Sequence, residues 1–342
     1  MKKIIATICV LSLIVKAKSQ DPQYSQYFAN PLTLNPAFAG STEYHRFSAA
    51  YRMQWPELPR TFTNFSVGYD VALPDFNSGV GVIVSSDRAG SGNLNSTGVE
   101  FIYSYSASFA NKWIFQPAIS FGILSRTLDY QRLLFGDQID FGVPGSPTVD
   151  PTASQVEGAN AIDIGTGFLF YGERLWLGAA YYHLNRPNVS LLREVNRLPR
   201  KMMIHAGARF PIRRSPLAKG PKPSIMPSIL YKMQGEFTQL DVGVMLNSHP
   251  VSVGAFYRGA PFVEDVEGRV RNEAMVFMFA IQVKGLDVGY SYDVNIARLG
   301  PETGGAHEVT LQYRFKIREK PGKIKRKNAR LPCPAFLRDL PM

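Results

Sequence analysis

Beyond its first 19 residues the sequence has no run of about 20 apolar residues, which excludes a transmembrane helix from the rest of the chain. Cysteine is scarce too: Cys9 lies within those 19 residues and Cys333 near the end, so no internal disulfide framework can form. Hydrolase, nucleotide and zinc motifs such as H-E-x-x-H, G-x-S-x-G, a Walker loop and paired C-x-x-C are missing. The five histidines are scattered, whereas zinc ligands cluster. We therefore predict no enzyme, no cofactor and no metal site.

The first 19 residues have the pattern of a secretory signal. Lys2 and Lys3 precede a short apolar run from Ile4 to Val15, and Ala17-Lys18-Ser19 offers a small-x-small cleavage site before Gln20. The apolar run is too short to cross a bilayer as a helix. The sequence thus predicts an exported protein with a signal peptide at residues 1–19.

The formal net charge of +11 is unevenly distributed. The signal holds four lysines and no acid, so the remainder of the chain carries +7. Residues 316–342 hold nine Lys or Arg against two acids, and therefore account for all of that charge. Because a nucleic-acid-binding protein needs a basic face on an ordered element, this distribution excludes a nucleic-acid partner.

Apolar and polar side chains alternate along the chain with the period of two that is typical of β-strands. In the stretch VEFIYSYS, Val99, Phe101 and Tyr103 fall on one face, and Glu100 and Ser104 on the other. Several stretches have the roughly 9–11 residues that a tilted membrane strand needs. Fourteen strands are predicted, at about 46–54, 63–73, 79–86, 96–109, 112–128, 160–171, 174–183, 201–212, 223–233, 238–246, 250–259, 272–283, 286–296 and 306–315.

The joins between these strands are long and short in turn. Odd-numbered joins are long except 234–237, and even-numbered joins are tight except 213–222. Long external loops alternating with short periplasmic turns are typical of bacterial outer-membrane barrels, in which closure pairs every backbone donor. We therefore predict an all-β fold: a transmembrane antiparallel up-and-down β-barrel of about 14 strands, residues 46–315, in the cell outer membrane. A secreted sandwich or propeller is the alternative.

The segment QDPQYSQYFANPLTLNPAFAG, residues 20–40, carries three prolines. Prolines exclude an interior strand and a stable helix, yet the segment is too apolar to be disordered. We predict that residues 20–45 form a periplasmic segment that packs into the periplasmic end of the lumen or against a partner. The candidate contact residues are Tyr24, Tyr27, Phe28 and Phe38.

Residues 316–342 follow the last strand, and an even number of strands places this tail in the periplasm. Its basic cluster could bind peptidoglycan, a periplasmic motor component or outer-membrane lipid phosphates, or could be a solvated extension. Cys333 could be an unpaired thiol or form a mixed disulfide with a partner. The candidate partner residues of the tail are Lys325, Arg326, Lys327 and Cys333.

The longest predicted loop, 129–159, is the best candidate for an external binding surface, because long loops in compact proteins are functional or disordered. It could instead fold inward and narrow the pore. Calcium binding by Asp137 and Asp140 would lack the spacing of an EF-hand. The candidate partner-binding residues are Leu133, Leu134, Phe135, Asp137, Gln138 and Asp140, with Trp55 and Arg60 in the first external loop.

Charged residues also fall on the inward faces of the strands. They are predicted to pair across the lumen, since cross-strand pairing of opposite charges is ordinary in sheets, with a selectivity filter for small solutes as the alternative. His205, alone on an inward face, is predicted to be a hydrogen-bonded lumen residue. The inward charges are Arg52, Asp70, Glu100, Asp163, Arg209, Asp287 and Arg314.

Motifs along nearly the whole chain after residue 20 resemble those of the PorP/SprF family of Bacteroidetes outer-membrane proteins. They include DPQYSQY with NPLTLNPAFAG, SSDRAGSGNLN, LDYQRLLFGDQID, WLGAAYYHLNRPN, GLDVGYSYD and LGPETGGAHEVTLQYRF. The tail's Cys333-Pro334-Ala335-Phe336 is similar to the family's Cys-Pro-x-Phe ending, although six further residues follow it here.

The resemblance implies a component of the type IX secretion system. The implied role is to support export of a specific large cargo protein with a type B C-terminal domain, such as a gliding-motility adhesin, or to hold that domain at the cell surface. The implied partners are this secreted adhesin domain and the translocon or periplasmic motor components. A diffusion porin is the alternative function.

Overall fold

A computed structural model describes residues 21–58, 61–90, 93–109, 112–130, 133, 138, 148, 158–191, 195–212, 222–264, 270–297, 300–316 and 333–334. The predicted signal peptide, most of the longest loop and most of the basic tail therefore lie outside the described residues.

Fourteen antiparallel strands make up one sheet in the described part of the chain. Two of them continue for two or three residues after a single-residue break: β4 in Ala107–Phe109 and β8 in Phe210–Pro211. The strands are β1 His45–Gln54, β2 Phe62–Leu73, β3 Ser78–Ala89, β4 Leu94–Tyr105, β5 Trp113–Thr127, β6 Ala159–Tyr171, β7 Leu175–Tyr182, β8 Lys201–Ala208, β9 Ser224–Gln234, β10 Phe237–Ser248, β11 Val251–Glu264, β12 Val270–Val283, β13 Leu286–Asn295 and β14 Ala306–Phe315.

The sheet closes into a barrel. Each strand pairs with its neighbours in sequence, and β1 pairs with β14, so that His45 lies opposite Phe315 and Gln54 opposite Ala306. This pairing confirms the predicted up-and-down barrel. We call the end at which β1 begins and β14 ends the inner end. The tight turns, such as Lys284-Gly285, lie there, and in outer-membrane barrels short turns face the periplasm.

The two faces of the strands differ as the alternation predicts. In β14, Glu308 and Thr310 are buried inside the barrel, whereas Val309 and Leu311 are exposed on its outer surface. On β4 the outward Phe101 is 64% exposed. An apolar outer surface on a closed sheet is what contact with lipid requires. No helix within the described residues is long and apolar enough to cross a membrane.

Residues 21–44 lie in the lumen of the barrel. Within them, Pro31–Leu34 form one turn of α-helix, α1, and Pro36–Phe38 form a 3₁₀ turn. Each turn begins at a proline, which tolerates the first helical position because its missing donor is not needed there. Prolines thus exclude a long helix here, but they start two short ones. Two further 3₁₀ turns lie at Pro74–Phe76 and Pro301–Thr303.

The direction of this segment differs from the prediction. Asp21 contacts Lys201, Gln234 and His183, which lie at the outer end of the barrel. The segment then descends to Gly40, which contacts Asp70 near the inner end. The expectation that it stays at the periplasmic end is therefore wrong: it runs the length of the lumen. We call residues 21–44 the luminal segment.

Candidate functional site: the lumen and its N-terminal segment

At the inner end, a buried ion pair fixes the luminal segment to β1 and β2. Arg46 Nε donates to Asp70 Oδ1 at 2.8 Å, and Arg46 Nη2 donates to the Phe38 carbonyl at 2.8 Å. The backbone N–H of Gly40 donates to the second Asp70 oxygen at 2.8 Å. Gly40 has a φ of +64° and lies against Gly79, so a side chain at residue 40 would meet backbone atoms. The chain thus turns tightly from the lumen towards β1.

Further towards the outer end, polar groups of the barrel wall bind Asn35, which lies between the two helical turns. The Asn35 amide donates to the carbonyls of Phe168 and Ala179, at 2.9 and 3.2 Å, and its nitrogen also lies 3.1 Å from His205 Nε2. The ring of Phe38 stacks on His205, with centroids 5.2 Å apart. His205 is therefore a hydrogen-bonded lumen residue, as predicted.

The middle of the lumen is apolar. Tyr27 packs edge-on against Phe256 with ring centroids 6.0 Å apart, and its hydroxyl lies 3.1 Å from Ser228 Oγ. Phe28 lies 4.2 Å from the Tyr27 ring, centroid to centroid. Cys333 is buried in the same cluster, so a residue of the C-terminal tail also reaches the lumen. Side chains from both ends of the chain therefore fill this level of the barrel.

Above the apolar level, the wall holds Ser25 from several sides. The Glu308 carboxylate accepts the backbone N–H groups of Ser25 and Gln26, at 2.7 and 2.9 Å. The Ser25 hydroxyl donates to Asp293 at 2.7 Å and accepts from Arg52 at 2.7 Å and from Arg258 at 3.0 Å. Ser25 itself is fully buried.

The charges around Ser25 balance one another. Three cations face three carboxylates, with Arg258 bridging Asp293 at 2.7 Å and Asp241 at 3.1 Å. Buried ions are tolerated where they are paired and their remaining hydrogen-bonding capacity is satisfied. Here Ser25 of the luminal segment supplies several of the hydrogen bonds that these charged groups need. The six residues are Arg52, Lys232, Arg258, Asp241, Asp293 and Glu308.

At the outer end, Asp21 is held by a cluster of polar side chains. Its carboxylate accepts from Lys201 at 2.7 Å and lies 2.9 Å from His183 Nε2, while its backbone N–H donates to Gln234 at 2.9 Å. Burial alone would raise the pKa of Asp21, but Lys201 and His183 outweigh it and hold that pKa well below its usual value. Burial likewise lowers the pKa of His183, but Asp21 and Asp163 outweigh it and raise the value to about 9.

Several predicted inward charges do pair. Arg52 bonds Asp293 and Glu308, and Asp70 bonds Arg46. Arg314 bonds Asp287 at 2.9 Å, and His183 Nδ1 lies 2.9 Å from Asp163. Arg209 donates to Ser224, and Glu100 lines a cavity at the outer end. These ion pairs join adjacent strands or, for Arg52 on β1 and Asp293 on β13, strands that are two apart in the sheet. The charges therefore pair along the wall and not across the lumen as predicted, because their partners lie on the same side of the barrel.

The predicted partner-binding residues fall in three places. Tyr24, Tyr27 and Phe28 lie inside the barrel, so their contact with a separate protein stays a prediction. Trp55 lies in the first outer loop. Its backbone N–H donates to the Gly305 carbonyl at 2.8 Å, and its ring packs edge-on against Phe62. Leu133 donates to the Tyr130 carbonyl, and Gln138 is half-buried. The others, Arg60, Leu134, Phe135, Asp137, Asp140, Lys325, Arg326 and Lys327, lie outside the described residues.

The anchors that sequence reasoning missed are Ser25, Gln26, Asn30 and Asn35. The amide of Asn30 donates to Ser66 Oγ. They are small polar residues spaced irregularly along a segment without strand periodicity, so no pattern marks their partners. The available signal was that the otherwise aromatic segment contains several polar side chains. Once these side chains are buried, they need hydrogen-bond partners. No group of three or more metal-ligating side chains occurs among the described residues.

The closed sheet, its apolar exterior and its occupied lumen define an integral β-barrel of the outer membrane. The sequence matches the model of the type IX secretion system membrane protein PorP/SprF over residues 16–313. The chain belongs to this family, and it is therefore an outer-membrane component of type IX secretion.

No curated protein matches the sequence. Among solved structures, the toluene transporter TodX of P. putida is 12% identical to this chain, with a TM-score of 0.48. The match covers 83% of this chain and 93% of the TodX chain. The CymD monoaromatic hydrocarbon channel is 9% identical, with 85% and 94% covered and a TM-score of 0.46. A mutant of Rh. blastica porin is 8% identical, with 80% and 99% covered and a TM-score of 0.32. At these TM-scores the structural similarities support no conclusion about function.

Proposed function

We propose that this barrel supports the export, the cell-surface attachment, or both, of a specific large cargo protein that carries a type B C-terminal domain, namely a gliding-motility adhesin. Membership of the PorP/SprF family supports a role in type IX secretion. The observation that carries the proposal is the luminal segment itself. A lumen filled along its length by the protein's own chain suits a receptor that works at its mouth better than a diffusion porin.

The outer loops are the surface on which the cargo domain would dock. A hydrogen bond connects the first and last of these loops, because the backbone N–H of Trp55 donates to the Gly305 carbonyl. Below them, Ser25 and Asp21 connect the luminal segment to seven side chains of the wall. A mouth braced in this way is preorganised, which lowers the ordering cost of binding.

The inner end would face the other components of the secretion system. The basic tail begins there at Lys316, which is exposed. We propose that this tail contacts the translocon, a periplasmic motor component or outer-membrane lipid. The barrel needs no catalytic residue for such a role.

Purification of the tagged full-length protein from its native envelope tests the proposal. The expected co-purifying proteins are one very large surface protein with a type B C-terminal domain and further type IX components. A tagged barrel of another family, purified from the same envelope, is the control. If the co-purifying proteins are the same for both barrels, the proposed function is wrong.

Loss of the gene gives an independent test. The cargo should disappear from the cell surface and accumulate in the periplasm or the medium, whereas other type IX substrates should reach the surface as before. Unchanged surface display of every large adhesin would contradict the proposal.

A further inference from the structure

A cavity of about 150 Å³ lies at the outer end of the lumen, between the luminal segment and the barrel wall. The luminal segment contributes Tyr24, Tyr27 and Leu32 to its lining, and the wall contributes residues of β3, β4, β5, β8 and β9. A cavity of this size holds a compact group about as large as benzene.

The Glu100 side chain of β4 lines this cavity and extends over Gly122 of β5. The two residues lie directly opposite each other, and a Cβ atom at residue 122 would be only 2.7 Å from Glu100 Cγ. Gly122 in turn lies opposite Asp163 of β6. Glu100 therefore extends towards a second carboxylate, which repels it and cannot pair with it while both are ionised.

Glu100 differs from the other two acids of the lining in its lack of a partner. Asp21 accepts from Lys201, and Asp87 accepts from Asn64. Glu100 forms no hydrogen bond and no ion pair within the part of the chain that the structure describes, and its side chain is partly exposed to the cavity. An ionised carboxylate in a partly enclosed site is costly unless it is paired. A cation beside Glu100 would therefore be bound favourably.

The cations of the lining are already engaged with groups other than Glu100. Lys201 is held twice, because its ammonium lies 2.7 Å from the Asp21 carboxylate and 4.9 Å from the centre of the Tyr182 ring. Apart from the pair of Lys232 with Asp241, three cations face four carboxylates around the cavity, so one negative charge is in excess. The seven groups are Arg126, His183, Lys201, Asp21, Asp87, Glu100 and Asp163, of which Asp163 lies behind His183.

The lining next to Glu100 is apolar. Ile83 lies directly opposite Glu100 in the pairing of β3 with β4, and Leu124 follows Gly122 on the same face of β5. A cation held by Glu100 would therefore place its remaining atoms against these two side chains. A group that donates with a positive charge is favoured over a neutral donor, because charge-assisted hydrogen bonds are about twice as strong.

We propose that this cavity is a binding site for a primary ammonium group on a compact apolar stem, with the ammonium on Glu100 and the stem against Ile83 and Leu124. A free short alkylamine and a peptide that begins with an apolar residue share this chemistry. The site goes beyond the proposed function, because it rests on the cavity and on the unpaired Glu100.

Binding of 3-methylbutylamine to the purified full-length protein in detergent tests the site. This amine is a cation at neutral pH, and 3-methylbutan-1-ol is its neutral counterpart of the same shape. We expect saturable binding of the amine by titration calorimetry, and at least tenfold weaker binding of the alcohol. If the amine does not bind, or if the alcohol binds equally well because Glu100 is protonated, the proposal is wrong.

Substitution locates the ammonium. Glu100→Gln should remove the preference for the amine over the alcohol, whereas Glu302→Gln, in an exposed turn of the last outer loop, should retain it. Heat-modifiability on gels checks that each variant is folded. Because the comparison of amine with alcohol needs no variant, the test survives a Glu100→Gln protein that does not fold. Equal preference in folded Glu100→Gln and wild type would overturn the assignment.

Two peptides separate the possible sources of the ligand. A short peptide that begins with leucine should bind, and its N-acetylated form should not, if the cavity receives a peptide terminus. If 3-methylbutylamine binds but neither peptide does, the site takes a free amine. Equal binding of both peptides would contradict recognition of an ammonium group. Each result leaves the proposed secretion role to its own tests, since co-purification and surface display do not depend on this cavity.

Discussion

At the scale of single residues, the luminal segment is held by polar side chains that are buried in complementary pairs. The pair at the inner end illustrates this: the side chains of Arg46 and Asp70 are 0% and 2% exposed. Each of them also bonds the luminal segment, because Arg46 donates to the Phe38 carbonyl and Asp70 accepts from the Gly40 N–H. Removing one member leaves the other charged and buried, which is the costly case.

We therefore expect Arg46→Ala to lower the free energy of unfolding by about 3–5 kcal/mol. The measurement is the urea unfolding midpoint in phospholipid vesicles. Lys316→Ala is the matched control, because the Lys316–Glu43 pair is 3.9 Å apart and about half exposed. Such a surface pair contributes about 1 kcal/mol or less. Similar midpoints for the two variants would contradict a structural role for the buried pair.

The cluster around Asp21 predicts a dependence of stability on pH. The pKa of His183 is raised to about 9, above its ordinary value of about 6.5. Its stabilising contribution is therefore full below about pH 6.5, decreases as the pH rises, and is lost above about pH 9. A pKa raised from about 6.5 to about 9 corresponds to a contribution of at most about 3 kcal/mol.

Urea midpoints between pH 6 and 10 should thus fall more steeply for the wild type than for His183→Gln. Asp21, Asp163 and Lys201 face His183 and are common to both proteins, so the difference isolates the imidazole. If the urea midpoints of the two proteins change with pH in parallel, a protonated His183 does not stabilise the protein through Asp21.

At the scale of elements, sequence alternation predicted the strands well. The final strand was placed at 306–315 and is observed at Ala306–Phe315, because both of its faces have unambiguous partners, lipid and lumen. Boundaries were less accurate where strands extend beyond the apolar band. β11 runs to Glu264, five residues past the predicted end, because backbone pairing continues outside the membrane.

The luminal segment was the element that sequence reasoning could place only in part. Its aromatic residues and prolines indicated burial without regular structure. Its direction could not be deduced, because the partners of Ser25 and Asn35 are single groups on distant strands. No period links such contacts, and loop-closure entropy allows either orientation.

The observed direction predicts which side of the membrane reaches the start of the segment. Gln23→Cys should react with a membrane-impermeant maleimide in intact cells, as should Glu57→Cys in the first outer loop. Asp75→Cys, in an inner turn, should react only after the envelope is permeabilised. Wild type measures the background from Cys333, which is buried. Labelling of Gln23→Cys only after permeabilisation would contradict the observed direction.

At the scale of the whole molecule, the barrel separates two environments. Its outer surface is apolar for lipid, and its interior is polar and charged at both ends with an apolar middle. The interior charges would be unsatisfied in an empty dry lumen, and the luminal segment satisfies several of them. The filled lumen is thus part of the fold, and it is the central feature that distinguishes this barrel from an open pore.

Conductance in planar lipid bilayers tests that feature most directly. The full-length protein should insert and remain electrically silent, whereas a variant lacking residues 21–40 but retaining the predicted signal peptide should show steady conductance and a lower unfolding midpoint. A variant with the same 20 residues in scrambled order is the control for chain length. A steady open pore from the full-length protein, equal to that of the deletion, would contradict the account.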